Sequence, residues 1–307
     1  MSEFQLTTPV VFIIFNRPDT TERVFAEIAR ARPPKLLVVG DGPRVNLSGE
    51  AEKVAACRAI INRVDWPCEV LTNYSEVNLG CKVRVSSGLD WVFGQVPEAI
   101  ILEDDCLPHP TFFRFCQELL ERYRDDQRIG MISGDNFQFG KVVTDDSYYF
   151  SKYTHIWGWA TWRRAWSGYD VEARIWPRFL REGYLKKISE NGGEEAYWRD
   201  GFQSVYDGRL DTWDYQWTLH CFSQGQVSVM PNLNLISNIG FGENATHTFG
   251  ESIYANIPIK EMIFPLKHAE VIRANPKADA YTAYTIFHLT YFGRLRKFLR
   301  SILSLKK

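Results

Sequence analysis

Ala99-Ile100-Ile101-Leu102-Glu103-Asp104-Asp105 is the stretch that decides how this chain is read. Four apolar residues without a break suit a strand buried on both faces, and three consecutive acids end it. Carboxylates at the tip of a buried strand are unfavourable unless they reach water, a cation or hydrogen-bond donors. A matching apolar run opens the chain, Val10-Val11-Phe12-Ile13-Ile14-Phe15, and Asn16-Arg17-Pro18-Asp19 breaks it. Thr20 or Thr21 can then start a helix with Val24, Phe25 and Ile28 on one face.

Working outward, the two runs belong to a series. A strand is expected at Lys35-Leu36-Leu37-Val38-Val39, ending in Gly40-Asp41-Gly42-Pro43. A helix over 49–64, a short strand at 68–71 and a helix over 80–93 lead to the acidic strand. A helix over 110–124 and a strand over 129–134 follow. Strands alternating with helices spell βαβ units: an α/β protein with a mainly parallel central sheet flanked by helices, Rossmann-like in plan. Ligands in such sheets bind beyond the carboxyl ends of the strands, where Arg17, Asp41 and the acidic triplet fall. Residues from 148 to about 250 are less regular and richer in aromatic and Gly residues, and read as the second half of one fold.

Composition is globular: 307 residues, 45% hydrophobic, with a formal net charge of -1. That near-neutral balance favours no nucleic acid partner. Six scattered cysteines, with no pair at zinc spacing, read as reduced thiols packed as small apolar residues. No basic segment precedes the first apolar run, which is too short for a signal-peptide core or a membrane span, so a cytoplasmic location is expected. Ten tryptophans concentrate mid-chain, among them Trp157, Trp159 and Trp213. Each can be core, or can stack on the C–H face of a sugar ring. From Tyr291 onward there are six basic residues and no acidic ones, with apolar residues at 292, 295, 299, 302 and 303. This is a basic amphipathic helix, either packed on the domain or lying on an anionic membrane surface.

A divalent cation bridging two phosphates would satisfy the acidic triplet, because Mg²⁺ or Mn²⁺ is commonly held by one or two carboxylates plus phosphate oxygens. A cluster of acids at a helix N-terminus is the competing explanation, with Pro108 and Pro110 close behind.

Six segments in one order resemble the GT-A glycosyltransferases that include animal N-acetylglucosaminyltransferase I and a set of bacterial nucleotide-diphospho-sugar transferases. They are Asn16-Arg17-Pro18; Gly40-Asp41-Gly42; Gly80-Cys81-Lys82-Val83-Arg84; Glu103-Asp104-Asp105 with Pro110, Phe112 and Phe113; Trp157-Gly158-Trp159 with Trp162 and Trp166; and Trp213-Asp214 ahead of Pro231. The resemblance spans roughly residues 9 to 248. It implies a GT-A domain over 1–270, with a nucleotide-sugar and metal half over about 9–145 and an acceptor half over about 146–270. Residues 271–307 would form the helical tail.

The resemblance also implies roles. Arg17 would lie near the donor diphosphate, or else form a surface salt bridge. Asp41 would accept from the nucleobase, which favours a UDP-sugar such as UDP-GlcNAc, or else form a simple Asp-Gly turn. Lys82 and Arg84 would face the diphosphate, Asp105 would ligate Mn²⁺ or Mg²⁺, Asp104 would be shared between metal and ribose, and Glu103 would support them. The base of an inverting transfer would come from Asp211-Thr212-Trp213-Asp214. Asp214 is favoured over Asp211, and either could instead cap the helix that follows. His247, in the Gly-rich loop after Asn238-Ile239-Gly240, would reach the metal or the diphosphate. Trp157, Trp159 and Trp213 would stack on sugar, and the acceptor would be a glycan or lipid-linked oligosaccharide held at the membrane's cytosolic face by the tail. A sugar nucleotidyltransferase is the main alternative, although Asn16-Arg17-Pro18-Asp19 is not its Gly-rich basic loop. A non-catalytic carbohydrate-binding protein would not need the acids.

Overall fold

The computed structural model describes residues 4–241 and 255–287. The chain runs β1 (Val10–Ile14), α1 (Pro18–Ala31), β2 (Lys35–Gly40), α2 (Glu50–Ile61), β3 (Glu69–Tyr74), α3 (Gly80–Gln95) and β4 (Glu98–Glu103). Next come β5 (Cys106–Pro108), α4 (Thr111–Arg122), β6 (Ile129–Ser133), β7 (Tyr148–Ser151) and β8 (Trp159–Trp162). Five helices follow, α5 (Arg163–Trp166), α6 (Trp176–Arg181), α7 (Tyr184–Ile188), α8 (Gly192–Tyr206) and α9 (Asp214–Ser223). Then come β9 (Val227–Pro231), β10 (Ile236–Asn238) and α10 (Pro276–Thr285).

Eight strands form one sheet in the order β3-β2-β1-β4-β8-β6-β9-β7. The first four run parallel, as the alternating pattern requires, while β8 and β7 run antiparallel to their neighbours. Six of the eight strands point the same way, so the sheet is mainly parallel as expected, with β7 and β8 reversed. Every residue of β1 is buried, and β2 and β4 are nearly so, which is why their sequences are unbroken apolar runs.

Register levels the ends of three strands. Ile14 lies opposite Gly40 on β2, and Ile13 lies opposite Glu103 on β4. Pro18 fixes the first turn of α1 immediately afterwards, and the Arg17 carbonyl accepts from the Thr21 N–H (3.0 Å) and its hydroxyl (2.7 Å). Arg17 is thereby held in the short gap between strand and helix. A two-stranded ribbon, β5 with β10, pairs Cys106 with Asn238 and carries the chain back to the acidic strand end.

The aromatic middle forms a second hydrophobic cluster that includes Tyr153, Trp176, Phe179, Trp198 and Phe202. Buried Ala283 of α10 belongs to it and Phe287 packs on it, so the boundary expected at residue 270 runs through packed structure. The Gln138 amide donates to the Ala278 carbonyl (3.2 Å) and the Thr282 hydroxyl (3.0 Å), which fixes α10 to the sheet. The expected basic helix, from Tyr291 onward, lies outside the described residues. Among the described residues no helix is long and apolar enough to cross a membrane.

Candidate functional site

A cavity of about 550 Å³ opens beyond the carboxyl ends of β1, β2 and β4. It is lined by Arg17, Asp41, Arg84, the three acids, Trp157, and the segment from Asp211 to Asp214. Residues far apart in sequence thus meet where the parallel half of the sheet ends.

At its centre Arg17 bridges two acids. Nη2 lies 2.9 Å from Asp104 Oδ1, and Nη1 lies 2.8 Å from Asp105 Oδ2. This is a largely enclosed ion triad rather than the surface salt bridge considered above. The Phe15 N–H donates to the other Asp104 oxygen at 3.0 Å, so Asp104 is held at both oxygens. Burial disfavours the Arg17 cation, but Asp104, Asp105 and Glu103 outweigh it and raise its pKa. Burial also raises the pKa of Glu103, and the neighbouring carboxylates Asp105 and Asp104 add to the rise. Burial raises Asp104 as well, against the pull of Arg17. Even with Glu103 protonated, two carboxylates against one guanidinium leave the strand end net negative. A diphosphate could approach only with additional positive charge.

Among the described residues, no three acidic, His or Cys side chains converge as a ready-made metal cage. What remains suits a cation that draws most of its ligands from phosphate and water: among the described residues, the hydrogen-bond partner of Asp105 Oδ1 is the Cys106 thiol, at 3.5 Å. The donor set is therefore compatible with Mg²⁺ or Mn²⁺ held chiefly by Asp105. His247 lies outside the described residues.

Gly240 closes this centre. The Ile239 N–H donates to the Asp105 carbonyl at 2.8 Å, and the Gly240 N–H donates to Asn238 Oδ1 at 2.9 Å. A Cβ on Gly240 would stand 2.2 Å from Asp105 Oδ2 and 2.5 Å from Arg17 Nη1, so only glycine lets the backbone pass there.

Several expected contacts fall elsewhere. Both Asp41 oxygens are engaged within the protein: they accept from the backbone N–H groups of Gly42 (2.9 Å), Leu79 (2.9 Å) and Gly80 (3.1 Å), and from Asn78 Nδ2 (3.0 Å). Asp41 thus ties the end of β2 to the start of α3, a structural role closer to the turn-forming alternative. Burial raises its pKa and these donors oppose the rise. Lys82 does not line the cavity, and its ammonium pairs with Glu172 at 3.1 Å. Arg84 is buried and donates to Asn73 Oδ1 at 2.6 Å, away from the acidic strand end.

Among the tryptophans, Trp159 is 1% exposed and stacks on Trp213 with centroids 5.5 Å apart, so its ring is core and no sugar could reach it. Trp213 touches the cavity but is itself 2% exposed. Trp157 is half-buried at the cavity wall, edge-on to Phe241 at 5.7 Å, and its backbone N–H donates to Asp135 Oδ2 at 3.0 Å.

The two base candidates also part. Asp211 Oδ1 accepts from the Lys82 N–H at 3.2 Å, and its other oxygen sits so close to Gly80 that a Cβ there would be 2.8 Å away. Asp211 therefore clasps the first turn of α3. Asp214 opens α9, where Oδ1 accepts from the Tyr215 N–H (2.9 Å) and the Thr212 hydroxyl. It is half-buried at the cavity edge.

Sequence reasoning passed over Phe15, Arg44, Asn78 and Phe241, which also line the cavity. Asn78 carried a faint signal, since Asn just before a Gly-started helix ordinarily reads as a cap.

No family model and no curated protein matches the chain. Among solved structures it is similar to UDP-glucose pyrophosphorylase complexed with UDP-glucose, at 8% identity and a TM-score of 0.36, over 74% of this chain and 90% of that one. The apo form of UDP-glucose pyrophosphorylase gives 8%, 0.36, 75% and 93%. Mouse xyloside xylosyltransferase 1 in its apo form gives 10%, 0.34, 70% and 81%. Likenesses this distant fix neither family nor activity.

Proposed function

We propose that this protein is a glycosyltransferase that moves a sugar from a nucleotide-diphosphate donor, a UDP-sugar such as UDP-GlcNAc, to a hydroxyl of a glycan or lipid-linked acceptor with inversion. The observation that supports it is the meeting of Arg17, Asp104, Asp105 and Asp214 around one cavity at the carboxyl edge of the sheet. Asp214 takes the proton of the acceptor hydroxyl as that oxygen bonds to the anomeric carbon. The bond from that carbon to the diphosphate breaks, and the electron pair leaves with the phosphate oxygen. Asp211, clasped to α3, holds the segment that presents Asp214. Trp157 and Phe241 offer apolar faces to the sugar. Asp105, with Asp104 beside it and His247 as a further ligand, would hold Mn²⁺ or Mg²⁺, and the bound cation would supply charge neutralisation for a diphosphate leaving group. Arg17 adds a fixed positive group at the same point.

The test is a panel of nucleotide sugars with Mn²⁺, read by release of nucleoside diphosphate. One or more donors should be turned over, and Asp214→Asn should lower kcat by about 10²- to 10⁴-fold. Retention of configuration in the product would remove the base role of Asp214. Formation of nucleoside triphosphate from the sugar nucleotide and pyrophosphate would establish nucleotidyl transfer instead. The basic segment from Tyr291 onward would hold the enzyme on anionic lipid at the cytosolic face. Unchanged co-sedimentation with anionic vesicles after its deletion would end that part of the proposal.

A further inference from the structure

The end of β2 lies two strands from β4, about 10 Å away at ordinary strand spacing. That distance suits a nucleoside diphosphate with its phosphates at the acidic strand end and its base beside Asp41. Asp41 itself has both oxygens occupied. One of its donors is different in kind from the others. Asn78 Nδ2 donates to Asp41 Oδ2 (3.0 Å) and to the Gly42 carbonyl (3.0 Å). Both partners can only accept, so the amide can sit only one way round, with nitrogen toward them. Asn78 Oδ1 is left as the remaining polar atom, with no donor among the described residues. Asn78 is half-buried and lines the cavity, beside the apolar groups Ile14, Cys81 and Val85 that would meet the flat face of a base.

We infer that Asn78 is the base-reading residue: its Oδ1 accepts the N3–H of a uracil-type base, and Asp41 acts as the positioning residue that fixes the amide. Cytosine presents an acceptor at N3, which would face Oδ1 unfavourably, so the site selects uridine over cytidine diphosphates. The inference rests on the nucleotide-sugar reading and gives that reading its base specificity.

Titration calorimetry with UDP, CDP and inorganic pyrophosphate in Mn²⁺ tests it on the full chain. UDP should bind about tenfold more tightly than CDP, the effect of one hydrogen bond made or opposed. In Asn78→Ala, and in Asn78→Ser as a second variant, the UDP/CDP ratio should fall toward one while pyrophosphate binds as in the wild type. Unchanged pyrophosphate affinity separates lost base reading from a misfolded site. Asp41→Asn should lower the same ratio, because it frees the Asn78 amide. A wild-type ratio of one, or a ratio preserved in both Asn78 variants, would overturn the role of Asn78 and leave the nucleotide-sugar reading standing. Failure of both nucleoside diphosphates to bind the wild type would overturn that reading along with it.

Discussion

Gly240 is where one methyl group would separate two charges. Its backbone passes over the Arg17–Asp105 pair with no room for a Cβ at 2.2 Å from the carboxylate and 2.5 Å from the guanidinium. In Gly240→Ala either the pair opens or the Asn238–Gly240 turn lifts off Asp105. Overpacking of this kind typically costs about 1–3 kcal/mol. Here the damage falls on the groups assigned to the diphosphate. Gly240→Ala should therefore lower donor turnover by about tenfold or more while shifting the melting temperature by only a few degrees. A variant with wild-type turnover would show that the Arg17–Asp105 contact is not needed in the working state. The same closeness explains why Gly240 was legible in sequence only as part of a Gly-rich loop. Its requirement comes from two side chains some 135 and 220 positions away, brought there by β5 pairing with β10.

At the scale of elements, α3 holds the site together. Its first turn carries the donors to Asp41 and Asp211, and farther along Gly88 lies on the sheet, where a Cβ would be 2.4 Å from Val39 Cγ1. Replacing a helical glycine by alanine ordinarily stabilises by up to about 1 kcal/mol. At Gly88 the sign should reverse. Gly88→Ala should lose about 1–3 kcal/mol in urea unfolding, because α3 must move away from β2. A gain in stability would mean that the helix can slide without penalty. The parallel half of the sheet was legible because burial on both faces demands unbroken apolar runs, as in β1 and β4. The second half was not. There β7 and β8 are short, and aromatic residues such as Trp159 serve core and site equally well in sequence, so only packing separates the 1% exposed Trp159 from the half-buried Trp157. The role expected of Asp41 is opaque for a similar reason: an acid at a strand end reads as a ligand until Leu79 and Gly80, folded against it, supply its donors.

For the whole molecule, the far edge of the sheet and the second aromatic cluster are joined through α10. Asp279 accepts from the Ser151 hydroxyl at 2.5 Å and from the Lys152 N–H at 3.2 Å, and it is 3% exposed. Burial raises its pKa to about 6; Ser151 and Lys152 oppose the rise, and the Glu194 carboxylate adds to it. A carboxyl with a folded pKa above its unfolded value of about 4 binds its proton more readily in the native state. Its contribution is therefore most favourable below about pH 4 and is lost as pH rises through about 6. Charging this group at neutral pH should cost about 2–3 kcal/mol relative to acid. Asp279→Asn keeps the shape and cannot ionise, while Ser151 can turn its hydroxyl to accept from the new amide. The variant should be more stable than the wild type at pH 7.5, and its advantage should shrink steadily between pH 6.5 and 4.5. Urea midpoints at four pH values measure this. A difference that stays constant with pH would show that Asp279 is ionised throughout, its charge held by Lys152 more strongly than burial opposes it.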